Sequence, residues 1–452
     1  MLTAFSLCRW LASSREPMDD GSDQPLPWYI AALWTIILRA FFFLVYGVCN
    51  WITSLRPGVG SFYWDWEPGI PFVPALILPY MSLDLFFVGA IFLCRRGELK
   101  THAKRVVTAI SIAAICFLLF PLRFSFIRPV TTGFSGFLFD WLKLDQPFNQ
   151  MPSLHIALCA IVWAPYGRRV HGFLRYILMG WFILIAASAV LTYQHHMIDI
   201  LGGAILAIVV FYLFPSHTAS DEDVNHLAAR NIRVAAIYGL FALGLLAIGH
   251  ALRPWGWLLL WPAVSMLLVS LAYAGAGPRI FRKRQGRFSW AANILLSPYL
   301  AGARLSHAMY RRSSDSCCQV TPNVILGRRL NRAEARQLAS KGITAVLDLT
   351  PECRETRWPA SVEYKNLQIL DLTLPSEDLV RKAVKFIKDH AGVGTIYVHC
   401  ALGFSRSAGV LAAYLLESSA ASTAEEAIEM IRRVRPQIVV TPQWTSLLRR
   451  FE

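Results

Sequence analysis

Eight long apolar runs in the first 276 residues constrain this chain more than any other feature of its sequence. Most of them reach the roughly 20 residues that an α-helix needs to cross a bilayer. Charged residues make up only 16% of the chain, whereas soluble domains carry about 25%. We therefore predict a polytopic membrane domain of about eight helices; the fourth run is short, so counts of six or seven stay open. The runs are Trp28–Cys49, Phe72–Cys94, Val106–Phe126, Ser153–Pro165, Tyr176–Tyr193, Ile198–Pro215, Val234–Leu252 and Trp257–Gly275.

The loops between the runs indicate how the chain is oriented. Basic residues concentrate in Arg95–Arg105, Arg168–Arg175 and Arg279–Arg312, and the alternate loops carry fewer. By the positive-inside rule, these basic loops and both termini face the cytoplasm. The chain has 44 Lys and Arg against 29 Asp and Glu. Because the basic residues lie beside apolar runs, we attribute the excess to membrane orientation and expect membrane lipids, not nucleic acid, as partners.

The residue pattern divides the chain into four parts. Residues 1–27 are expected to form a cytoplasmic N-terminal tail, 28–276 the helical membrane domain, and 277–316 a basic juxtamembrane linker suited to an anionic leaflet. From 317 to 452, short apolar strands alternate with amphipathic helices. The predicted fold is therefore multi-domain: an all-α membrane bundle followed by a soluble α/β domain with a central sheet flanked by helices.

Polar residues gather at the outer ends of the membrane runs. Arg128 follows the third run and His155 lies at the mouth of the fourth. His195, His196 and Asp199 lie at the outer end of the fifth. Ionisable residues at membrane depth are costly and usually functional. Since the orientation places all of them on the outer side, we expect them to converge on one pocket near the outer leaflet, with His196 as an interfacial neighbour.

This pattern resembles the type 2 phosphatidic acid phosphatase (lipid phosphate phosphatase) superfamily over about residues 70–215, and its form is more similar to the inositol phosphorylceramide synthase branch. The matching blocks are Arg128-Pro129, Pro152-Ser153-Leu154-His155, and His195 with Asp199 four residues later. The chain departs from the family at Pro121, where a Lys is expected, and at Ala189, where an Arg is expected.

The resemblance implies a role for each matching residue. His195 would be the nucleophile that forms a phosphohistidine, and Asp199, at i+4, would orient its ring. His155 would protonate the leaving oxygen. Arg128 and Ser153 would hold the phosphoryl oxygens.

The sequence around Cys400 predicts a second, different phosphate site. In VHCALGFSRSAGV, a strand runs into Cys400, and Arg406 and Ser407 follow six and seven residues later. A strand, loop and helix in this order direct backbone N–H groups and a helix N-terminus at an anion, and they favour a thiolate nucleophile. Arg406 would grip two phosphoryl oxygens, and Ser407 would assist thiolate departure. The remaining phosphate-binding residues are Ala401, Leu402, Gly403, Phe404 and Ser405.

Residues 317–452 resemble the dual-specificity branch of the protein tyrosine phosphatase superfamily, whose His-Cys-x5-Arg-Ser signature is complete here. The family implies a general acid upstream of the cysteine. Asp371, after a strand, is the preferred candidate; Asp348 is the alternative, for which a structural role at a strand end is favoured. The loop side chains carry no positive charge, which argues mildly against a highly phosphorylated inositol headgroup.

Together these features predict a membrane-bound phosphoric monoester hydrolase, a bacterial fusion in the inner (plasma) membrane. The cytoplasmic domain would hydrolyse a phospholipid headgroup phosphate or a phosphoprotein through a cysteinyl-phosphate, and the outer site would act on lipid phosphates. Two alternatives remain for the membrane domain, a phospho-headgroup transferase and a degenerate lipid-binding anchor. Neither chemistry calls for a metal or an organic cofactor. The substrate and the oligomeric state are left open.

Overall fold

The computed structural model describes residues 24–142, 146–215, 230–252, 255–311 and 315–452. Most of the expected N-terminal tail, residues 1–23, lies outside the described residues. The chain divides into two compact units, Met1–Ala219 and Ser220–Glu452. The predicted fold class is confirmed, since apolar helices come first and an α/β domain with a mixed central sheet follows.

The described part of the first unit is built from apolar helices. Its helices are α1 (Trp28–Ser54), α2 (Ile77–Phe92), α3 (Arg96–Leu119), α4 (Gly133–Leu142), α5 (Leu154–Arg169), α6 (Gly172–Leu191) and α7 (Met197–Leu213). Four helical segments of this unit, with α2 counted from Pro74, are long and apolar enough to cross a membrane, and α7 is a shorter apolar helix.

Helix α3 begins ten residues earlier, and ends seven residues earlier, than the expected Val106–Phe126. The side chain of Glu98 accepts a hydrogen bond from the backbone N–H of Arg95 at 3.0 Å, which caps the helix start. Arg168 pairs with the same carboxylate at 3.1 Å. Because charged residues fill the first turns, hydropathy alone does not detect them. The helix ends at Leu119, two residues before Pro121. A proline disfavours helical geometry in the residue that precedes it, which is Phe120 here.

The start of α5 packs closely on α7. A Cβ added at Gly203 would lie 2.4 Å from the carbonyl oxygen of Ser153, so no larger residue fits there without a shift of the backbone. The backbone N–H of Ser153 donates to the carbonyl of Asp199 at 3.0 Å. This contact joins the starts of α5 and α7, which carry candidate site residues.

The described part of the second unit begins with two apolar helical segments, residues 232–252 and 255–276, which together we call the apolar hairpin. It contains α8 (Ile232–Ala251), which is long and apolar enough to cross a membrane, and the shorter α9 (Leu260–Leu271), which continues into a π-helical turn at Ala272–Ala276. The hydroxyl of Ser270 donates to the carbonyl of Ala235 at 2.7 Å and joins the two helices. The hairpin and the α/β domain belong to the same compact unit.

The expected linker is folded onto the α/β domain and is not only a basic surface segment. It holds a two-stranded ribbon, β1 (Lys283–Arg284) and β2 (Arg287–Phe288), followed by α10 (Trp290–Leu295) and α11 (Ser297–Arg311). The side chain of Lys283 is fully buried, and its Nζ lies 2.6 Å from the Oδ2 of Asp348. An ammonium in this position serves the protein core and not an anionic lipid surface.

The α/β domain contains a five-stranded sheet in the order β3, β4, β7, β5, β6, in which β3 is antiparallel to β4 and the other pairs are parallel. Apolar residues of the sheet and of the flanking helices form its core. The strands are β3 (Cys317–Thr321), β4 (Val324–Arg328), β5 (Ile343–Asp348), β6 (Glu363–Asn366) and β7 (Thr395–Cys400). The helices are α12 (Arg332–Ala339), α13 (Glu377–Ala391), α14 (Arg406–Glu417), α15 (Ala424–Val434) and α16 (Pro442–Leu448).

Candidate active site

Cys400 lies at the carboxyl end of the central strand β7, where the chain turns into α14. The strand is apolar and buried between β4 and β5, so the position of the thiol is fixed by the core. Ala401–Ser405, which we call the phosphate loop, connects Cys400 to Arg406 at the start of α14. The structure therefore places the signature residues at the strand, loop and helix junction that the sequence predicts.

The carbonyl oxygens of the phosphate loop are hydrogen-bonded to groups around it. Ala401 accepts from the ring of His307 at 2.8 Å and from the backbone N–H of Arg329 at 3.1 Å. The guanidinium of Arg435, which is 2% exposed, donates to the carbonyls of Leu402 and Gly403, each at 2.9 Å. In a trans peptide the N–H points away from the C=O. Fixing these carbonyls therefore directs the following N–H groups the opposite way, as an anion site requires.

Gly403 allows the tight turn of the phosphate loop. Its φ is +74°, which is costly for a residue with a side chain. A Cβ at this position would lie 2.6 Å from the carbonyl oxygen of Gly327. The loop can therefore close around an anion only with glycine here.

The thiol of Cys400 is buried and already accepts two hydrogen bonds. The backbone N–H of Gly403 donates to its Sγ at 3.2 Å, and the hydroxyl of Ser407 donates at 3.3 Å. Both donors stabilise negative charge on sulfur. The contact from Ser407 places that hydroxyl where it can stabilise the thiolate as a leaving group.

Arg406 is fixed along one edge of its guanidinium by Glu352. Its two terminal nitrogens lie 3.1 Å and 2.7 Å from the carboxylate oxygens of Glu352, and Nη1 also donates to the carbonyl of Ile369 at 2.9 Å. The charge of Glu352 raises the pKa of Arg406 well above its usual value, although burial acts in the opposite direction. Glu352 therefore keeps a buried cation charged and oriented. Sequence reasoning did not identify Glu352 or Arg435, because no local motif marks either residue.

The structure brings Asp371 to the remaining edge of the same guanidinium. Its Oδ1 lies 3.3 Å from the Nε of Arg406, and its side chain is 51% exposed. The residue belongs to a turn, Asp371–Thr373, which we call the acid loop. A half-exposed carboxyl beside the phosphate-binding arginine has the access to solvent and substrate that a general acid needs.

Asp348, the alternative acid, is instead the centre of a buried network. It pairs with Lys283 and accepts hydrogen bonds from the hydroxyls of Tyr364 and Thr350, each at 2.7 Å. Burial alone would raise the pKa of Asp348, but the charge of Lys283 and the hydrogen bonds from Lys283 and Tyr364 lower it to about 2. Oxygen and nitrogen atoms of Asp348, Glu355 and His399 lie within 4.8 Å of one another, and the Lys283 ammonium supplies the cation that this cluster needs. The structure thus gives Asp348 the structural role that was favoured.

His399 lies behind the phosphate loop and not in it. It is fully buried, its Nδ1 lies 3.2 Å from the carbonyl oxygen of Cys400, and its Nε2 lies 3.4 Å from Glu355. Burial raises the pKa of Glu355. The position suits a residue that supports the loop from outside.

The first unit brings part of the second predicted site together. His195 Nδ1 lies 3.6 Å from Asp199 Oδ2, and the backbone N–H of Ser153 donates to the Asp199 carbonyl at 3.0 Å. Arg128 donates through Nε to the carbonyl of Tyr193 at 3.1 Å, two residues before His195. His155 stacks on Tyr80, with ring centroids 4.1 Å apart. His195, Asp199 and the backbone of Ser153 therefore form one cluster, and the His155 ring is stacked on Tyr80.

His196 has a defined position that sequence reasoning did not foresee. Its Nδ1 lies 3.3 Å from the buried carboxylate of Glu67, and its Nε2 lies 3.2 Å from the hydroxyl of Ser125. Its ring stacks on Phe124 and Tyr63, with centroids 4.4 Å and 5.3 Å apart. These contacts fix the segment before Arg128 beside the His195 cluster.

Comparison with known proteins concerns mainly the α/β domain. The family model "Dual specificity phosphatase, catalytic domain" matches residues 324–452. The human phosphatidylglycerophosphatase and protein-tyrosine phosphatase 1 is 33% identical over 153 residues, which are 31% of this chain and 75% of the human protein. The Arabidopsis thaliana phosphatidylglycerophosphate phosphatase PTPMT2 is 30% identical over 29% of this chain and 61% of its own. A crystal structure of PTPMT1 in complex with PI(5)P is 28% identical, with a TM-score of 0.28, and the match covers 30% of this chain and 94% of that one.

Proposed function

Because this chain belongs to the dual specificity phosphatase family through its C-terminal catalytic domain, we propose that it is a membrane-bound lipid phosphatase. Its Cys400 site would hydrolyse the phosphomonoester of a phospholipid headgroup, with phosphatidylglycerol phosphate as the preferred candidate. The observation that carries this proposal is that the catalytic residues and an apolar hairpin fold as one unit. The names of the similar human and Arabidopsis proteins, which refer to phosphatidylglycerophosphate, support the same substrate class.

The reaction would begin with in-line attack of the Cys400 thiolate on phosphorus. The N–H groups of the phosphate loop would bind the phosphoryl oxygens together with the Nε edge of Arg406, which Glu352 leaves available. A phosphate on that edge takes the place where Asp371 now lies. As the bond from phosphorus to the glycerol oxygen breaks, Asp371 would give its proton to that oxygen, which leaves as an alcohol.

Hydrolysis of the cysteinyl-phosphate would complete the cycle. Water would attack phosphorus and give a proton to the Asp371 carboxylate, which restores the acid for the next turnover. The S–P bond breaks, and its electron pair returns to sulfur as a thiolate. The Ser407 hydroxyl, 3.3 Å from Sγ, stabilises that thiolate. Inorganic phosphate then leaves, and the free thiolate is ready for the next turnover.

The uncharged phosphate loop supports a substrate with a single phosphomonoester. The side chains of Ala401, Leu402, Phe404 and Ser405 add no positive charge around the site. An inositol headgroup with several phosphates needs further cations, whereas a terminal glycerol phosphate is served by Arg406 and backbone N–H groups. A phosphoprotein is the competing substrate.

The test is a comparison of kcat/KM on three substrates in detergent micelles, with the full chain as the enzyme. We expect phosphatidylglycerol phosphate to exceed phosphatidic acid and a phosphotyrosine peptide by at least roughly 10-fold. That ratio corresponds to about 1.4 kcal/mol of differential transition-state binding. A preference for the phosphopeptide would overturn the lipid assignment and favour a protein phosphatase.

We also propose that the His195 cluster is a second site for lipid phosphates on the outer side of a bacterial inner membrane, with both termini in the cytoplasm. Its support is the His195 to Asp199 pair and the contact of Ser153 with Asp199. Release of phosphate from phosphatidic acid that persists in Cys400→Ser, and is lost when His195→Ala is added to that variant, would support a hydrolase. Product formation only when an alcohol acceptor is supplied would support a transferase. If His195→Ala changes no measured activity, a lipid-binding anchor would be favoured.

A further inference from the structure

The acid loop is bonded directly to the start of the apolar hairpin. Asn231 precedes α8, and its side-chain Nδ2 donates to the carbonyl of Leu372 at 2.7 Å. Leu372 is the residue after Asp371 in the chain. One hydrogen bond therefore separates the hairpin from the residue next to the proposed general acid.

Asn231 is itself held in place by two elements of the same unit. Its Oδ1 accepts from the backbone N–H of Val234 at 3.2 Å and caps α8. Its backbone N–H donates to the carbonyl of Tyr273, in the turn that ends the hairpin, at 3.0 Å. With its oxygen and its backbone committed in this way, the side-chain amide N–H is presented to Leu372 in a fixed direction.

Leu372 needs such support because its backbone is strained. Its φ is +53°, in the left-handed region, which is unfavourable for a residue with a side chain. Packing of its own side chain does not offset this strain, since the residue is 70% exposed. Strained residues persist where surrounding contacts determine their conformation. The hydrogen bond from Asn231 is such a contact, and it fixes the peptide that follows Asp371.

Aromatic residues of the hairpin and the linker border the same region. Tyr238 and Tyr273 stack with ring centroids 6.0 Å apart, and Tyr238 packs on Tyr299 of α11 at 5.7 Å. Tyr299 also packs on Phe281, with ring centroids 5.8 Å apart. The hairpin thus has an aromatic base formed with residues of the linker.

We propose that Asn231 is a positioning residue for the general acid, so that the apolar hairpin sets the geometry in which Asp371 protonates the leaving group. This inference rests on the proposed chemistry of Cys400 and Asp371 but not on the identity of the lipid. It makes leaving-group protonation depend on a residue more than 160 positions before the signature cysteine. The hairpin is then a working part of the catalytic unit as well as an anchor.

The decisive variant is Asn231→Ser in the full chain. Serine is as good a helix cap as asparagine, but its shorter side chain lacks an amide N–H that reaches Leu372. The matched control is Asn331→Ser, which makes the same change at the asparagine that caps α12 by accepting from the backbone N–H of Glu334 at 2.9 Å. Any loss that comes only from a weakened asparagine cap will appear in both variants.

The measurement is kcat on two aryl phosphates, difluoromethylumbelliferyl phosphate and phenyl phosphate. The first has an acidic leaving group that departs without a proton, whereas the second requires general acid catalysis. We expect Asn231→Ser to lower kcat on phenyl phosphate by roughly 10-fold and on the acidic substrate by less than about 2-fold. Asn331→Ser should change neither rate, and Asn231→Ser should add no further loss in an Asp371→Asn background.

Equal losses on both substrates, or a full additional loss in the Asp371→Asn background, would overturn the inference, because Asn231 would then act on stability alone. Failure of the lipid assignment gives a different result. In that case the wild type hydrolyses both aryl phosphates but not phosphatidylglycerol phosphate, and the effect of Asn231→Ser on leaving-group dependence can still be read.

Discussion

Glu352 grips Arg406 by two hydrogen bonds, at 2.7 Å and 3.1 Å, and leaves only the Nε edge of the guanidinium facing Asp371. A buried charge is costly unless it is paired, and this pair both pays that cost and sets the orientation of the ligand for phosphate. The relationship joins two segments that are 54 residues apart.

Replacement of Glu352 by Gln should lower kcat/KM for any phosphomonoester by roughly 10- to 100-fold. The variant keeps the shape of the side chain but loses charge-assisted hydrogen bonds, each of which contributes about 1.5–3 kcal/mol. Steady-state kinetics on an aryl phosphate measure the effect. Glu429→Gln is the control, since that carboxylate pairs with Arg432 at the exposed surface. Unchanged kinetics in Glu352→Gln would show that Arg406 needs no such partner.

Replacement of Arg435, which lies outside the phosphate loop, should disorder the backbone of that loop. Arg435→Leu removes the donors to the carbonyls of Leu402 and Gly403, and the resulting unsatisfied groups cost about 1–3 kcal/mol each. We expect binding of vanadate, an analogue of phosphate, to weaken at least roughly 10-fold. Because this side chain is buried, Arg435→Lys is a second variant that keeps the charge on a single donor nitrogen, and its affinity for vanadate should fall less. Equal vanadate affinity in both variants and the wild type would contradict the role.

Replacement of Ser407 by Ala should slow the second chemical step more than the first. The hydroxyl donates to Sγ at 3.3 Å, and its loss removes stabilisation of the departing thiolate. With an acidic aryl phosphate, we predict a burst of aryl alcohol close to one equivalent, followed by a steady rate lower by roughly 10-fold. Rapid-quench kinetics show the burst. A uniform decrease with no burst would place Ser407 in the first step instead.

The Lys283 and Asp348 pair predicts a dependence of stability on pH. The folded pKa of Asp348 is lowered to about 2, whereas an unfolded aspartate titrates near 3.9. The pair therefore stabilises the fold fully above pH of about 4, and that contribution is lost as the pH falls toward 2. Asp348→Asn should lower Tm at pH 6, and its difference from the wild type should shrink as the pH approaches 2. Thermal melts followed by tryptophan fluorescence in detergent check this. A difference that stays constant across that range would contradict it.

The sequence was sufficient for the apolar helices and for the signature loop, for separate physical reasons. Hydropathy over a run of about 20 residues is a strong signal, and Cys400, Arg406 and Ser407 lie within one local strand, loop and helix. Sequence reasoning failed where charged residues lie inside a helix, because they lower the mean hydropathy of that segment. The first turns of α3 carry basic residues and were assigned to a loop, although Arg105 is buried there and donates to the carbonyl of Phe214 at 2.9 Å.

Long-range pairing was the other limit of sequence reasoning. Glu352 contacts Arg406 across 54 residues, Arg435 reaches back to Gly403, and Lys283 enters the core from the expected linker. No local spacing predicts such contacts, because they arise from the order of strands in the sheet and from the packing of the linker on it. The hydrogen bond from Asn231 to Leu372 spans 141 residues and is of the same kind.

The most direct test of the account measures phosphate release from phosphatidylglycerol phosphate in mixed micelles by the full chain, Cys400→Ser and His195→Ala. We predict that the wild type and His195→Ala release phosphate at similar rates, and that Cys400→Ser loses roughly 1000-fold or more because its hydroxyl is a far weaker nucleophile than a thiolate. Full activity in Cys400→Ser, with loss in His195→Ala, would contradict the account and move lipid hydrolysis to the first unit.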